Sequence, residues 1–369
     1  MNLHNEIINA LSFFIPIKEY KEKFKYKYTR MRCSKKLENK VVFLELPTIK
    51  DARNHLAHHF SDVDFEFVDA FDKEAVKKAR KNAKILISEG ACPKKYINQI
   101  AIEIWHASGF IKNACNLKQP NRTFLDWVVC PSEGVVDTYA TAFGVSKDKV
   151  LTFGSIKNDY CFNKSKCKQI KNSFFNKHPY LKGKKIYSWA PTFRGDWKKD
   201  PHLYSVINLD KLDELLLDDE VVLLRLHPSL KYFNSTDDLR TNLIPKSTHK
   251  KIIDFSSEPL NEMTLVSDVF ISDYSSCILD AMVADVSVMF FAEDLDDYIA
   301  NRGTPFDYRK DVPNLLEKCS EEEFVKFIRT IKKDTKKYNS FKKKWLGSCG
   351  GKAGERIYNF VKSKMKEEL

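Results

Sequence analysis

Short apolar runs alternate with helical stretches in the first half of the chain. The runs predict strands at 41–46 ("VVFLEL"), 65–70, 84–88, 126–130 and 150–153. The stretches between them predict helices at 73–82 and 133–143. Because strands that alternate with helices form parallel sheets covered on both faces, this half predicts an α/β domain.

A second alternating series follows residues 161–184, a polar and basic segment without a strand signal that we interpret as the inter-domain connection. Strands are predicted at 185–189, 221–226, 251–254, 269–272 and 286–291, and helices at 209–217, 260–266 and 276–284. After residue 320 the pattern is helical to the end, apart from a Gly-rich break at 347–354. We therefore expect Rossmann-like, doubly wound domains at 1–165 and 180–340, and a basic C-terminal helix at 341–369 that packs back on the first domain.

The composition is that of a globular protein, with 43% hydrophobic and 30% charged residues among 369. No run approaches the ~18–20 apolar residues that a membrane-spanning helix needs. The segment 10–17, "ALSFFIPI", is too short to span and lacks the flanks of a signal peptide. The nine cysteines form no C-x-x-C pair, which argues against a zinc site or a disulfide framework and favours a cytosolic protein with reduced thiols.

Positive charge is concentrated at the two ends of the chain. The formal net charge is +12, with +6 in residues 1–40 and +10 in residues 326–369, so the middle is slightly acidic. Basic ends beside an aromatic and apolar stretch are typical of proteins that bind an anionic membrane surface. Solvated helix faces would explain the same charge. Nucleic acid is not an expected partner, since the body contains no basic-aromatic binding motif.

Polar residues follow the predicted strand 269–272, where a helix begins. In open α/β sheets, ligands bind outside the carboxyl ends of the strands. Ser275 and Ser276 fall at the helix N-terminus, which favours an anion such as phosphate, and Asp280 could accept a hydrogen bond from a ribose hydroxyl. The serines could equally serve as simple helix caps.

Three further stretches place polar residues after apolar runs. "LLRLHPS" ends a strand with Arg225 and His227, and "YSWAPTFRGD" brings Thr192 and Arg194 after another. Arginine suits bidentate binding of phosphate. "IEIWHASGFIKN" sets His106 beside small residues, as a general base needs. Taken singly, each histidine could be a core residue and the arginine a solvated one.

Taken together and in order, these stretches resemble the CDP-glycerol glycerophosphotransferase family, the teichoic-acid and capsule polyol-phosphate transferases. The resemblance covers roughly residues 84–315 and rests on "WHASGFIK" (105–112), "GSIKND" (154–159), "APTFRGD" (190–196), "RLHP" (225–228), "SDYSSCILD" (272–280) and "DLDDYIANRGTPFDY" (294–308). It implies a GT-B architecture, with two Rossmann-like domains facing across a cleft. The C-terminal domain would hold the CDP-activated donor, and the N-terminal domain would present the acceptor.

The resemblance also implies roles for individual residues. His106 would be the catalytic base, and His227, also assigned to catalysis, would contact the diphosphate with Arg194. Substrate binding would involve Thr192, Arg194, Arg225, Ser275, Ser276 and Asp280. The chain departs from the family pattern at Ala107, where glycine is usual, and at Lys157, where arginine is usual.

The implied reaction is transfer of a polyol phosphate, with glycerol phosphate favoured, from a CDP-activated donor to a hydroxyl of a lipid-linked or capsular glycan, with release of CMP. No cofactor or protein-bound metal is expected, although Mg²⁺ could accompany the diphosphate. The expected location is the cytoplasmic face of the plasma membrane, with peripheral attachment to anionic lipid. The alternatives are a GT-B glycosyltransferase that uses a sugar nucleotide and a non-catalytic partner in capsule assembly.

Overall fold

The computed structural model describes residues 7, 10–16, 20, 37–46, 51–90, 95–96, 98–113, 125–195, 202–227 and 245–367. The described residues fold into two compact units. Unit 1 contains those up to 106, 125–159 and those from 348 onward. Unit 2 contains 107–113 and the described residues between 160 and 347. The chain therefore enters unit 2 twice, first as a short segment directly after His106.

Unit 1 is built on a parallel sheet, in which six strands are described, in the order β2-β1-β3-β4-β5-β6. The strands are β1 (Glu38–Glu45), β2 (Phe65–Asp69), β3 (Ala83–Ser88), β4 (Ile100–Glu103), β5 (Trp127–Val129) and β6 (Val150–Leu151). Alternate residues of β1 enter different cores: Val41 and Phe43 lie in one, Val42 and Leu44 in the other. Burial on both faces explains why β1 is a continuous apolar run in the sequence.

The described strands of unit 2 form a second parallel sheet of six, in the order β12-β11-β10-β7-β8-β9. They are β7 (Lys185–Trp189), β8 (Glu220–Leu224), β9 (Ile252–Asp254), β10 (Val269–Ser272), β11 (Ser287–Phe291) and β12 (Leu315–Leu316). Counted within the unit, this is the 3-2-1-4-5-6 order of a dinucleotide-binding fold. The order reverses between β7 and β10, which is where such folds bind ligands.

Helices cover the two sheets. In unit 1 the described α-helices are α1 (Asp51–Leu56), α2 (Lys73–Asn82), α3 (Val136–Phe143) and α12 (Ala353–Lys366). In unit 2 they are α4 (Lys164–Lys177), α5 (Leu209–Leu215), α6 (Leu260–Val266), α7 (Cys277–Val283), α8 (Leu295–Asn301), α9 (Tyr308–Asp311), α10 (Glu321–Thr330) and α11 (Lys336–Leu346). Among the helices that the structure describes, none is both long and apolar enough to cross a membrane.

The C-terminal helix belongs to unit 1 and is held there by the "GSIKND" segment. The Asp159 carboxylate accepts hydrogen bonds from the N–H groups of Ala353 and Gly354, at 3.2 and 2.8 Å, and so caps α12. Gly154 adopts a φ of +104°, and a Cβ there would lie 2.8 Å from the Ser348 carbonyl oxygen. Glycine therefore permits the close approach of the returning chain. Ile357 and Val361 complete the packing in the unit 1 core.

The predicted class, α/β with two doubly wound parallel sheets, is confirmed. Strands β7 and β10 have the predicted bounds, and the other predicted strands agree within a few residues. Two strands were missed: β4, whose apolar run was read as part of a motif, and the two-residue β12. The segment 161–184, for which no strand was predicted, contains the long helix α4. Phe174 is the buried residue of this helix, so its sequence shows little apolar periodicity.

Candidate active site

The carboxyl ends of β7, β8 and β10 lie level in the sheet of unit 2. Trp189, the last residue of β7, pairs with Leu224 of β8 on one side and Ile271 of β10 on the other. The polar residues that follow these strands therefore gather at one edge. Unit 2 contains seven of the eight predicted site residues: Thr192, Arg194, Arg225, His227, Ser275, Ser276 and Asp280. The eighth, His106, belongs to unit 1.

Hydrogen bonds join the ends of β7 and β10 across the switch point. The buried Asp273 carboxylate accepts from the Thr192 N–H at 2.8 Å, and Ser272 Oγ donates to the Ala190 carbonyl at 2.6 Å. Tyr308 donates its hydroxyl to the carbonyl of Asp273 from the far side. The two strand ends are thereby fixed relative to each other.

Arg194 lies at the centre of a buried ion-pair network. Its Nε and Nη2 donate to the two carboxylate oxygens of Asp294 at 2.7 and 2.8 Å. Its Nη1 donates to the Thr192 carbonyl at 2.6 Å and to Asp273 at 3.0 Å. Four of its five N–H groups are thus engaged by the protein. The guanidinium also lies 4.9 and 5.1 Å from the ring centroids of Tyr274 and Tyr298.

The electrostatics agree with a permanently charged arginine. Burial lowers the pKa of Arg194, but the charges and hydrogen bonds of Asp273 and Asp294 outweigh burial and raise it overall. Burial likewise raises the pKa of Asp294, and Arg194 and the Tyr274 hydroxyl reverse that shift, so the pKa is lowered. In this structure the Arg194 side chain therefore binds carboxylates and braces the strand ends, and its predicted contact with the diphosphate stays a prediction.

Thr192 presents a buried hydroxyl at the same edge. Its side chain is 4% exposed, and Oγ1 has no hydrogen-bond partner in the structure. The buried Tyr298 hydroxyl also has no hydrogen-bond partner. The Tyr298 ring is stacked on that of Tyr274, with centroids 3.6 Å apart. Buried hydroxyl groups are seldom left without a partner, so these two are candidates for ligand contacts.

Arg225 and His227 follow β8, the strand next to β7 in the sheet. Arg225 is half-buried and donates its Nε–H to the Glu258 carbonyl at 3.2 Å. The His227 ring lies 4.8 Å from the Phe193 ring, between centroids. Loss of hydration and the positive charges of Lys112 and Arg225 lower the pKa of His227 to about 4. At neutral pH the imidazole is therefore uncharged.

The serine pair and Asp280 have local partners. Ser275 Oγ accepts from the Cys277 N–H at 3.4 Å, so this serine contributes to the start of α7. Ser276 occupies the N-cap position without a side-chain cap hydrogen bond. Asp280 is buried and accepts from Ser108 Oγ at 2.5 Å. Its contact with residues 107–113 is a tether that the sequence did not predict, and its predicted contact with ribose stays a prediction.

His106 lies at the carboxyl edge of the unit 1 sheet. A Cβ on Gly90 would lie 3.2 Å from His106 Nδ1, so glycine with φ +108° allows the ring to pack there. Gly90 follows β3, beside the point where the strand order of this sheet reverses. The ring is half-buried against Trp105, with centroids 4.0 Å apart. The imidazole is therefore held at the edge where α/β sheets carry their ligands.

Glu103, which the sequence analysis did not single out, shapes this turn. Its fully buried carboxylate accepts from Ser88 Oγ at 2.6 Å and from the Trp105 N–H at 3.0 Å. Trp105 adopts a φ of +26°, an uncommon value for a non-glycine residue. Glu103 thus stabilises a strained backbone directly before His106. Its place inside an apolar strand was a signal, since buried carboxylates normally serve a specific partner.

The absence of a protein-bound metal stays a prediction. Across the described ranges, no three His, Cys, Asp or Glu side chains are grouped to hold a metal ion. Mg²⁺ that arrives with a diphosphate is a separate matter, and it stays a prediction.

Comparison with known proteins identifies the family. Residues 8–363 match the model of CDP-Glycerol:Poly(glycerophosphate) glycerophosphotransferase. The chain belongs to this family. The predicted resemblance, which was drawn from motifs between 84 and 315, is confirmed and extends over nearly the whole chain.

The chain is similar to curated proteins that are named as teichoic acid polymerases and primases. The chain is 29% identical to the teichoic acid poly(ribitol-phosphate) polymerase of Bacillus spizizenii over 85% of its own length and 49% of that protein. It is 26% identical to the teichoic acid poly(glycerol phosphate) polymerase of Staphylococcus epidermidis over 73% of its length and 40% of that protein. The chain therefore spans half or less of these two polymerases. It covers 69% of the Bacillus spizizenii ribitol-phosphate primase, at 26% identity.

Solved structures support the fold. A structure of the wall teichoic acid polymerase TagF matches with a TM-score of 0.73 and 22% identity, covering 100% of this chain and 99% of that one. The UDP-GlcNAc 2-epimerase of Neisseria meningitidis matches with a TM-score of 0.52 and 12% identity, covering 88% and 99%. At these identities the likeness concerns the fold alone, and it supports the predicted GT-B-like class.

The brace formed by Arg194 predicts a stability effect. Arg194→Lys keeps the charge but cannot bridge Asp273 and Asp294 with a planar guanidinium. We therefore expect the free energy of unfolding to fall by about 2–4 kcal/mol. Urea denaturation followed by tryptophan fluorescence measures it. Arg309→Lys, which alters a two-carboxylate pairing on the surface of unit 2, should hardly move the midpoint. An unchanged midpoint for Arg194→Lys would show that the network is not a structural brace.

Proposed function

We propose that the protein transfers a polyol phosphate from a CDP-activated donor to a hydroxyl of a lipid-linked or glycan acceptor, releasing CMP. The family match over residues 8–363 is the observation that carries this proposal. Relatives named for ribitol phosphate and for glycerol phosphate match over similar shares of the chain. The proposal therefore commits to the polyol class, and the earlier preference for glycerol stays a prediction.

The donor's diphosphate is proposed to bind in unit 2, outside the ends of β7 and β10. The strand order of a dinucleotide-binding fold, the buried Thr192 hydroxyl and the Arg225 cation after β8 support this position. His227, neutral at pH 7, would donate or accept a hydrogen bond rather than provide a charge. Phosphoryl transfer depends mainly on positioning and on stabilisation of charge, which these groups can provide.

The acceptor hydroxyl is proposed to lose its proton to His106 as it attacks the β-phosphorus. The bond between that phosphorus and the oxygen of the leaving CMP breaks, and the electron pair departs with CMP. The new phosphodiester joins the polyol phosphate to the acceptor. The rigid seat of His106, formed by Gly90, Trp105 and Glu103, suits a group that must meet a substrate hydroxyl in one orientation.

A donor screen tests the proposed activity. Purified full chain is incubated with CDP-glycerol, CDP-ribitol or UDP-GlcNAc and with lipid-linked glycan acceptors, and released nucleotide and product mass are measured. We expect CMP and an acceptor heavier by one or more polyol phosphates. UDP release with an added sugar would favour the glycosyltransferase alternative. No nucleotide release with any donor would favour the non-catalytic one.

The proposed base predicts a specific kinetic defect. His106→Ala should lower turnover by ~10²-fold or more, the scale of general-base catalysis, while CDP-donor affinity stays near the wild-type value. Stopped assays give turnover, and isothermal titration gives affinity. His58→Ala, an exposed histidine of the same unit, serves as the control and should keep full activity. Wild-type turnover in His106→Ala would remove the residue from the mechanism.

We also propose peripheral attachment to an anionic membrane surface at the cytoplasmic face. Ala10–Phe13 is helical, and large apolar side chains near it are exposed, with Phe13 and Phe14 at 76% and 81%. Ile7 and Leu11 are exposed as well. Such a short apolar surface binds lipid weakly and needs electrostatic help, which the basic ends of the chain would provide. Most of the basic residues in 1–40 lie outside the described residues.

Vesicle binding tests this attachment. The protein should sediment with vesicles containing anionic phosphatidylglycerol at low salt and be released at high salt, because surface electrostatics are screened. Phe13→Ala/Phe14→Ala should weaken binding at least several-fold. Phe71→Ala, an exposed phenylalanine elsewhere in unit 1, should not. Absence of binding at low salt would contradict the proposal.

A further inference from the structure

Lys112 lies at the edge proposed for the donor, although its motif begins in unit 1. Residues 107–113 belong to unit 2, and three contacts fix them there. Ser108 Oγ donates to the Asp280 carboxylate at 2.5 Å. The Asn113 N–H donates to the Gly303 carbonyl at 3.1 Å. Gly109 packs so closely that a Cβ would lie 2.5 Å from Leu279 Cδ1. The backbone that carries Lys112 is therefore firmly placed.

The lysine side chain points among the residues that follow β7 and β8. Its Nζ lies 6.0 Å from the centroid of the Phe193 ring, which in turn contacts His227. Titratable and charged groups surround the ammonium from several elements: Arg194, His227, Asp273, Cys277 and Arg302.

Positive charge is in excess around Lys112. Asp273 is its acidic neighbour, but that carboxylate already accepts from the N–H groups of Thr192, Arg194 and Tyr274. Burial, followed by the charge of Arg302, lowers the pKa of Lys112 to about 8. Lys112 in turn contributes to the low pKa of His227. A bound anion would relieve this repulsion.

A second, independent observation points to a ligand at the same place. The Thr192 hydroxyl is 4% exposed and has no hydrogen-bond partner. Its backbone N–H is bound to Asp273, the same carboxylate that acts on Lys112. A buried donor without a partner and a half-buried cation that share Asp273 as a neighbour are groups expected at an oxyanion site.

We propose that Lys112 is a substrate-binding residue whose ammonium contacts the diphosphate oxygens of the nucleotide donor, together with the Thr192 hydroxyl. This inference rests on the proposed function for the identity of the nucleotide. It assigns to the lysine of "WHASGFIK" the role that the sequence gave to Arg194. It also explains why the tether to Asp280 matters: it holds the cation at the strand ends.

Binding of a diphosphate should then be coupled to proton uptake. At pH 8 an ammonium with a pKa of about 8 is roughly half protonated, and an adjacent anion raises that pKa. Binding should therefore take up as much as about half a proton per site. His227 contributes little at this pH, because its pKa of about 4 lies far below 8.

Isothermal titration of the full chain with CDP, and separately with UDP, at pH 8 in HEPES and in Tris measures both affinity and proton uptake. Wild type should show proton uptake. Lys112→Gln should lose most of it and bind CDP roughly tenfold to a hundredfold more weakly, the scale of a lost charge-assisted hydrogen bond. Lys112→Arg should retain affinity better than Lys112→Gln but show no uptake. Lys326→Gln, which alters an exposed lysine of unit 2, should match wild type in both.

The outcomes separate this inference from the proposed function. Wild-type affinity and proton uptake in Lys112→Gln would overturn the assignment and leave the function standing. Binding of UDP but not CDP, with uptake that depends on Lys112, would overturn the CDP-based function and support the assignment. No binding of either nucleotide by wild type would overturn both. Lys112→Arg is the control for a folding defect in Lys112→Gln. A variant that still binds CDP is folded, so its loss of proton uptake is caused by the loss of the lysine ammonium.

Discussion

The interaction on which the carboxyl edge of the unit 2 sheet depends is the buried pairing of Arg194 with Asp273 and Asp294. Each of three neighbouring strands, β7, β10 and β11, is followed within five residues by one member of this network. A buried charge needs a partner of opposite sign, so removal of any member would leave the others uncompensated. The network therefore fixes where the polar residues after those strands stand, and the exposed face of the edge is left for other groups to bind a ligand.

One motif serves both units. In "WHASGFIK", the turn before His106 is held by Glu103, Ser88 and Gly90 in unit 1. Only a few residues later, Ser108 is bound to Asp280 in unit 2. A short stretch of chain thus carries a candidate base on one unit and a candidate substrate cation on the other. The residues of this single sequence motif are therefore held in place by contacts in two different units.

Two of the motifs that identify the family are structural in large part. "GSIKND" supplies Gly154, which permits a close approach, and Asp159, which caps the C-terminal helix. "APTFRGD" supplies Arg194, which braces the strand ends, and Thr192, whose hydroxyl has no hydrogen-bond partner in the structure. Motif membership alone therefore does not distinguish a residue that touches substrate from one that supports its neighbour. Hydrogen-bond saturation does, because an arginine with four engaged donors has little left for a phosphate.

The sequence by itself determined the α/β class, most strand positions and the family, because strands buried on both faces leave continuous apolar runs and the motifs follow in order. It also indicated which loops carry polar side chains, since these directly follow the runs. The tertiary structure alone decided what those side chains contact. Arg194 meets two carboxylates, Asp280 meets Ser108, and Lys112 lies near His227, through contacts between residues 79 to 172 positions apart or on different elements. Periodicity and motif spacing describe local geometry, whereas charge pairing depends on which strand ends the sheet order brings together.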